Sequence, residues 1–183
     1  MHLLRQFFHE LKDKRKMIAD LAGSDFRKRF AGSYFGVVWM FVNPVVTVLI
    51  FFFIFQLGMK SVPPVPDTPY VIWLIPGLVP WIFINESISG ITNSLNEYNY
   101  LVKKVVFKIS ILPIIKILSA LFVHIFFVCF TLILLACYGF FPDLYTLQLI
   151  YYSFCMFMLV LGLSYITCSL IVFFRDLGQM IAI

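Results

Sequence analysis

The sequence predicts an all-α protein, a polytopic bundle of membrane-spanning helices preceded by an amphipathic helix. Three observations lead to this fold class: a hydrophobic fraction of 62% with 13% charged residues, four long apolar stretches, and cations concentrated in alternate connections. Soluble globular domains carry about 45–50% apolar and about 25% charged residues. The composition therefore excludes an ordinary soluble domain, and attraction to anionic headgroups explains the net charge of +5 better than nucleic acid does.

Four apolar stretches are long enough to cross a bilayer as helices. A helix of roughly 20 residues spans the ~30 Å hydrocarbon core, and each stretch exceeds that length. The predicted spans cover residues 37–57, 70–91, 111–138 and 147–174. Residues 178–183 are apolar again, which predicts the start of a fifth span and a chain that is a fragment of a larger bundle.

The cations fall almost entirely on one side of the predicted spans. Of the 14 Lys and Arg residues, Lys60 alone lies in the connections after spans one and three. The others lie before span one, around the start of span three, or after span four. Cytoplasmic connections of membrane proteins carry the excess of Lys and Arg. We therefore expect a cytoplasmic N-terminus and a cytoplasmic connection between spans two and three.

Residues 1–36 are predicted to form a cytoplasmic unit ahead of the transmembrane domain at 37–183. Apolar residues recur at helical spacing within residues 3–21, with lysines off that face, which is typical of a helix lying in the membrane surface. The alternative is a helix packed on a partner. A basic connector at 23–36 joins this helix to span one. It is either a flexible loop or, through its glycines, a site of close helix approach.

Polar and proline residues inside the spans suggest special positions. Pro76 and Pro80 are expected to break span two. Glu86 is a functional candidate because an intramembrane carboxylate is costly, unless span two ends earlier and leaves it in the interface. Lys116 is expected to snorkel to the headgroups. His124 is expected to be hydrogen-bonded within the bundle, with a proton relay as the alternative. The short connection from Gly139 to Thr146, with its Pro-Asp pair, predicts that spans three and four form an antiparallel hairpin.

Sequence signatures of catalysis are missing, and no catalytic, cofactor-binding or metal-binding residue is predicted. The chain contains no phosphate-binding G-x-x-x-x-G-K-[ST] loop, H-E-x-x-H or G-x-S-x-G pattern. All four cysteines lie in the apolar spans and are expected to be small buried hydrophobes. The abundant aromatic residues form either an interfacial belt or a path for a sugar-bearing substrate. The candidate path residues are Tyr34, Trp39, Trp81 and Glu86.

Four segments, in this order and spacing, resemble the permease subunits of ABC exporters for lipid-linked polysaccharide or polyol phosphate. These exporters move O-antigen, capsule or teichoic acid. The matching segments are Asp25 to Trp39 with the following Asn43-Pro44, Tyr70 to Phe83, Asn99 to Pro113, and Arg175-Asp176. Lys108 departs from the pattern, because a proline usually follows the phenylalanine there. The resemblance covers the chain from about residue 20 onward.

The resemblance implies a six-span permease in the bacterial inner membrane, working as a homodimer with two ATPase subunits that hydrolyse ATP. A lipid-linked glycan would pass between the permeases. It also implies that the connection between spans two and three docks on the ATPase, through Asn96, Glu97, Tyr98, Asn99, Leu101, Lys103 and Lys104. The basic segment Arg27-Lys28-Arg29 is a second candidate contact. The alternative functions are a membrane-embedded enzyme or accessory protein acting on lipid carriers, and an ABC permease for another substrate.

Overall fold

The computed structural model describes residues 9, 13–30, 36–61, 63–64, 68–98, 109–174 and 176–181, and these residues contain no strand. The predicted all-α fold class is therefore confirmed. Short 3-10 turns precede α2, α5 and α6, and a π-helical turn at Phe53–Gly58 follows α2. The described helices are α1 (Arg15–Phe30), α2 (Trp39–Phe52), α3 (Tyr70–Thr92), α4 (Ser94–Glu97), α5 (Leu112–Cys137), α6 (Gln148–Leu170) and α7 (Leu177–Ile181).

Three of the described helical segments are long and apolar enough to cross a membrane. They are Tyr70–Thr92, Leu112–Cys137 and Leu144–Leu170, and they coincide with predicted spans two, three and four. Predicted span one corresponds to a shorter apolar helical segment, Val42–Gly58. These helices indicate a membrane protein. In water, a chain of this length would have to bury most of the apolar surface of such helices inside its own fold, whereas a bilayer covers that surface with lipid.

The helix α3 lies at the centre of the described bundle. It packs against α2, α5 and α6, and the main core cluster joins Phe83 and Ile91 of α3 to Ile117 of α5 and Val160 of α6. The predicted hairpin of spans three and four is present as the neighbouring pair α5 and α6. Its turn is fixed by Asp143, whose carboxylate accepts from the Leu144 backbone N–H at 2.7 Å.

The prediction that prolines break span two was wrong. The helix α3 runs continuously from Tyr70 to Thr92 with Pro76 and Pro80 inside it. A proline removes one backbone donor and crowds the carbonyl four residues earlier, so Pro76 and Pro80 disturb adjacent parts of the same helix, about two turns from residue 72 to residue 80. Membrane helices tolerate such losses where neighbouring helices or local adjustments satisfy the freed carbonyls.

The N-terminal helix differs from its predicted form. The structure continues α1 through Gly23 and Ser24 to Phe30, so the first part of the predicted connector is helical. The face bearing Ile18 and Ala22 packs on the start of α5. Residues 1–8, 10–12 and 31–35 lie outside the described residues, and nine of the 19 residues of the predicted surface helix, 3–8 and 10–12, are among them. The described part of α1 is therefore held by the bundle itself.

Candidate functional site

Lys116 lies one turn into α5 and forms ion pairs with two other segments of the chain. Its Nζ is 2.7 Å from Asp25 Oδ1 on α1 and 2.6 Å from Glu97 Oε2 on α4. The Lys116 and Asp25 side chains are 10% and 3% exposed, whereas that of Glu97 is 54% exposed. The Lys116–Asp25 pair is thus buried, where charge interactions are screened much less than at the surface.

Tyr98 completes this cluster, and we call Asp25, Glu97, Tyr98 and Lys116 the polar junction. The buried Tyr98 hydroxyl donates a hydrogen bond to Asp25 Oδ1. Lys116 Nζ lies 5.1 Å from the centroid of the Tyr98 ring, and Lys28 Nζ lies 6.0 Å from it. Cations at such distances are attracted to the negative face of the ring. The polar junction therefore connects α1, α5 and the segment that follows α3.

The chain reaches the polar junction through a tight turn after α3. Asn93 follows the helix, and Ser94–Glu97 form the single turn of α4, closed by a 2.9 Å bond from the Tyr98 N–H to the Ser94 carbonyl. Ser94 is fully buried, with its hydroxyl 3.9 Å from the Cys168 sulfur of α6. We call residues 93–98 the junction segment.

Two further contacts hold the beginning of the junction segment. Thr92 Oγ1 donates to Thr167 Oγ1 of α6 at 2.8 Å. Gly178 of α7 is buried against Asn93, and a Cβ added to this glycine would lie 2.7 Å from Asn93 Oδ1. The junction segment is thus contacted by α1, α5, α6 and α7, which positions it relative to the described bundle.

The structure places part of the predicted coupling segment in this cluster. Glu97 and Tyr98 belong to the polar junction, and the backbone of Asn96 is in α4. The other predicted coupling residues lie outside the described residues: Asn99, Leu101, Lys103 and Lys104. Arg27 and Lys28 are exposed on α1, and Arg29 lies on the same helix. The Lys28–Tyr98 contact therefore brings the two predicted sets of residues together.

Two of the predicted substrate-path residues, Trp81 and Glu86, lie on different sides of α3. Trp39 is exposed at the start of α2, and Trp81 is exposed on α3. Glu86 is half-buried and lines a small cavity against α5. Five helical residues turn through ~500°, which puts Trp81 and Glu86 ~140° apart around α3. Tyr34 lies outside the described residues, and the path remains a prediction.

Several side chains behave differently from their sequence-based expectations. Lys116 does not snorkel to headgroups, because the carboxylates of Asp25 and Glu97 hold its ammonium group. His124 is buried, yet neither ring nitrogen has a hydrogen-bond partner among the described residues, so that prediction was wrong. The four cysteines are free thiols, but Cys168 alone is buried, because the others lie on bundle faces that no described helix covers.

The role of Asp25 was missed from the sequence, where it appeared only as the first residue of a motif. The sequence contained one signal for such a partner. Lys116 lies inside a predicted span, and a cation there requires an anion nearby. Within the part of the chain that the structure describes, no group of three or more His, Cys, Asp or Glu side chains is placed to hold a metal ion. The polar junction offers charge pairing and hydrogen bonding, which suit a role in joining segments.

The fold and the polar junction define a polytopic helical membrane protein in which one inter-helix connection is fixed to the N-terminal helix. The chain matches no family model. It is 26% identical over 173 residues to the O-antigen export system permease protein RfbA of Myxococcus xanthus, covering 94% of this chain and 65% of that protein.

Two proteins of the same name from Klebsiella pneumoniae give a similar result. Each is 28% identical to this chain over 173 residues, which cover 91% of the chain and 63% of the relative. The chain thus spans less than two thirds of the length of these curated relatives. The resemblance to polysaccharide-export permeases that the motifs indicated is confirmed as a similarity along nearly the whole chain.

Proposed function

We propose that this chain is the transmembrane subunit of an ABC exporter that moves lipid-linked polysaccharide or polyol phosphate across the bacterial inner membrane. The observation that carries the proposal is the similarity to O-antigen export permeases over 91–94% of the chain. The long apolar helices of the bundle suit such a subunit. ATP would be hydrolysed by a separate subunit, and the permease would work as a homodimer with two ATPase copies.

The polar junction suggests how the ATPase would act on this subunit. The segment between α3 and α5 is the proposed docking site, and Glu97 keeps more than half of its side-chain surface exposed there. A force applied to this segment would reach α5 through Lys116 and α1 through Asp25. Separating the buried pair would leave an uncompensated charge, which is costly, so these elements should move together.

The proposed orientation places the N-terminus and the junction segment in the cytoplasm. It rests on the one-sided distribution of Lys and Arg and on the alternation of the apolar helices. Single cysteines in a cysteine-free background test it in intact cells. We expect reagent added outside to label Ser61→Cys and Asp143→Cys but not Ser24→Cys or Asn96→Cys. Labelling of Ser24→Cys and Asn96→Cys from outside would show that the orientation is the opposite of the one proposed.

Deletion of the gene in the organism that carries it tests the proposed function. We expect surface glycan to disappear while complete lipid-linked glycan accumulates on the cytoplasmic side, because synthesis continues without export. The intact gene and a Lys60→Met variant, changed in an exposed outer residue, should both restore surface glycan. Unchanged surface glycan would contradict the proposal. Accumulation of a carrier with altered structure would instead support an enzyme acting on lipid carriers.

A further inference from the structure

His124 is an isolated polar group near the middle of α5. Its side chain is 5% exposed, and neither Nδ1 nor Nε2 has a hydrogen-bond partner among the described residues. Its ring lies against Phe83 of α3, with the ring centroids 4.7 Å apart. Burying an imidazole without a hydrogen bond is unfavourable, so buried polar groups normally have a partner in the protein or in bound water.

Two cavities meet at His124. The smaller has a volume of about 10 Å³ and is lined by Glu86 and Phe83 of α3 and by His124 and Phe127 of α5. The larger, of about 170 Å³, lies between α3, α5 and α6, and its lining includes the hydroxyl residues Thr131, Tyr152 and Ser153. His124 lines both cavities, together with Val79.

The smaller cavity matches the requirements of a single water molecule. A buried water needs about 10–15 Å³ of accessible space and two to four polar partners. Glu86 supplies carboxylate oxygens that accept hydrogen bonds, and a neutral imidazole supplies one donor and one acceptor. The rest of the lining is apolar, so these two residues are the polar groups that such a water would meet there.

We infer that a water molecule binds between Glu86 and His124 and bridges α3 to α5. It accepts a hydrogen bond from the His124 ring N–H and donates one to the Glu86 carboxylate. The larger cavity, which is partly open and mostly apolar, adjoins the smaller one at His124. This inference does not depend on the proposed transport function.

The bridge would join the two helices that flank the junction segment. Lys116 connects α5 to that segment near the start of the helix. His124 lies two turns further along the same helix, where the water would connect it directly to α3. Two polar contacts at different depths would fix both the spacing and the rotation of α3 relative to α5.

Water contact at His124 can be measured directly by solid-state NMR of the chain in lipid bilayers. The sequence has 3 histidines, so a His2→Gln/His9→Gln variant labelled with ¹⁵N-histidine reports on His124 alone. We expect magnetisation transfer from water to its ring, and loss of that transfer in Glu86→Leu. Absence of transfer with Glu86 present would overturn the inference, as would transfer that Glu86→Leu leaves unchanged.

Thermal unfolding in lipid nanodiscs gives a second test with results of opposite sign. We expect His124→Phe to lower the unfolding midpoint by several degrees, and to have little effect in a Glu86→Leu background. If no water is bound to His124, the opposite result is expected, because replacing a buried imidazole that has no hydrogen bond would raise the unfolding midpoint. Tyr152→Phe is the control in the larger cavity and should leave the midpoint unchanged. A loss in Tyr152→Phe equal to that in His124→Phe would place the polar contact in the larger cavity and overturn the bridge.

Discussion

Replacing Lys116 by Met should destabilise the bundle by removing the ammonium group between Asp25 and Glu97. Removing one partner of a buried ion pair costs about 3–5 kcal/mol, because the other charge stays buried without compensation. We expect the lower end of this range, since the exposed Glu97 carboxylate can turn into water and Tyr98 still donates to Asp25. For a chain of this size, about 3 kcal/mol lowers the unfolding midpoint by roughly 6–12 °C.

Circular dichroism of the chain in lipid nanodiscs measures this midpoint. The matched control is Lys60→Met, an exposed lysine for which we expect a change of no more than about 0.5 kcal/mol. The double variant Asp25→Leu/Lys116→Met should recover most of the loss, because apolar residues often replace a buried ion pair without cost. The reasoning is refuted if Lys116→Met matches the control, or if the double variant is less stable than both single variants.

Two further substitutions test the contacts that position the junction segment. Gly178→Ala should cost about 1–3 kcal/mol by overpacking against Asn93, whereas Gly162→Ala, with open space around its Cβ, should cost nothing measurable in the same unfolding assay. Thr92→Val should cost about 0.6–1.7 kcal/mol because it breaks a hydrogen bond between α3 and α6. Thr47→Val is its control, since the Thr47 hydroxyl donates within its own helix, and equal losses would remove the special role of Thr92.

The apolar spans could be located from the sequence because length and composition decide them. The ends of predicted spans 70–91 and 111–138 lie within one residue of the ends of α3 and α5. A backbone in lipid must satisfy its hydrogen bonds internally, so a long apolar stretch has few alternatives to a helix. The continuity of the helices was predicted less well. Pro76 was expected to break a helix and Gly23 to begin a connector, but both residues lie inside helices that pack against the rest of the bundle.

The polar junction could be predicted only in part. Glu97 and Tyr98 were expected at a functional connection, but their partners Asp25 and Lys116 lie far from them and from each other in the sequence. Such pairing is decided by tertiary packing, which local periodicity does not encode. The same limit applies to Glu86, whose cavity with His124 depends on the rotation of α3 against α5.

Copurification of a nucleotide-binding subunit from native membranes is the most direct test of the proposed exporter role. We expect the unmodified chain and Lys60→Met to retain a separate ATPase. Glu97→Ala/Leu101→Ala should retain at least tenfold less, since losing a docking contact commonly costs about 2 kcal/mol or more. Failure of any nucleotide-binding chain to copurify with the unmodified protein would contradict the proposal, and full retention by the double variant would exclude the junction segment as its docking site.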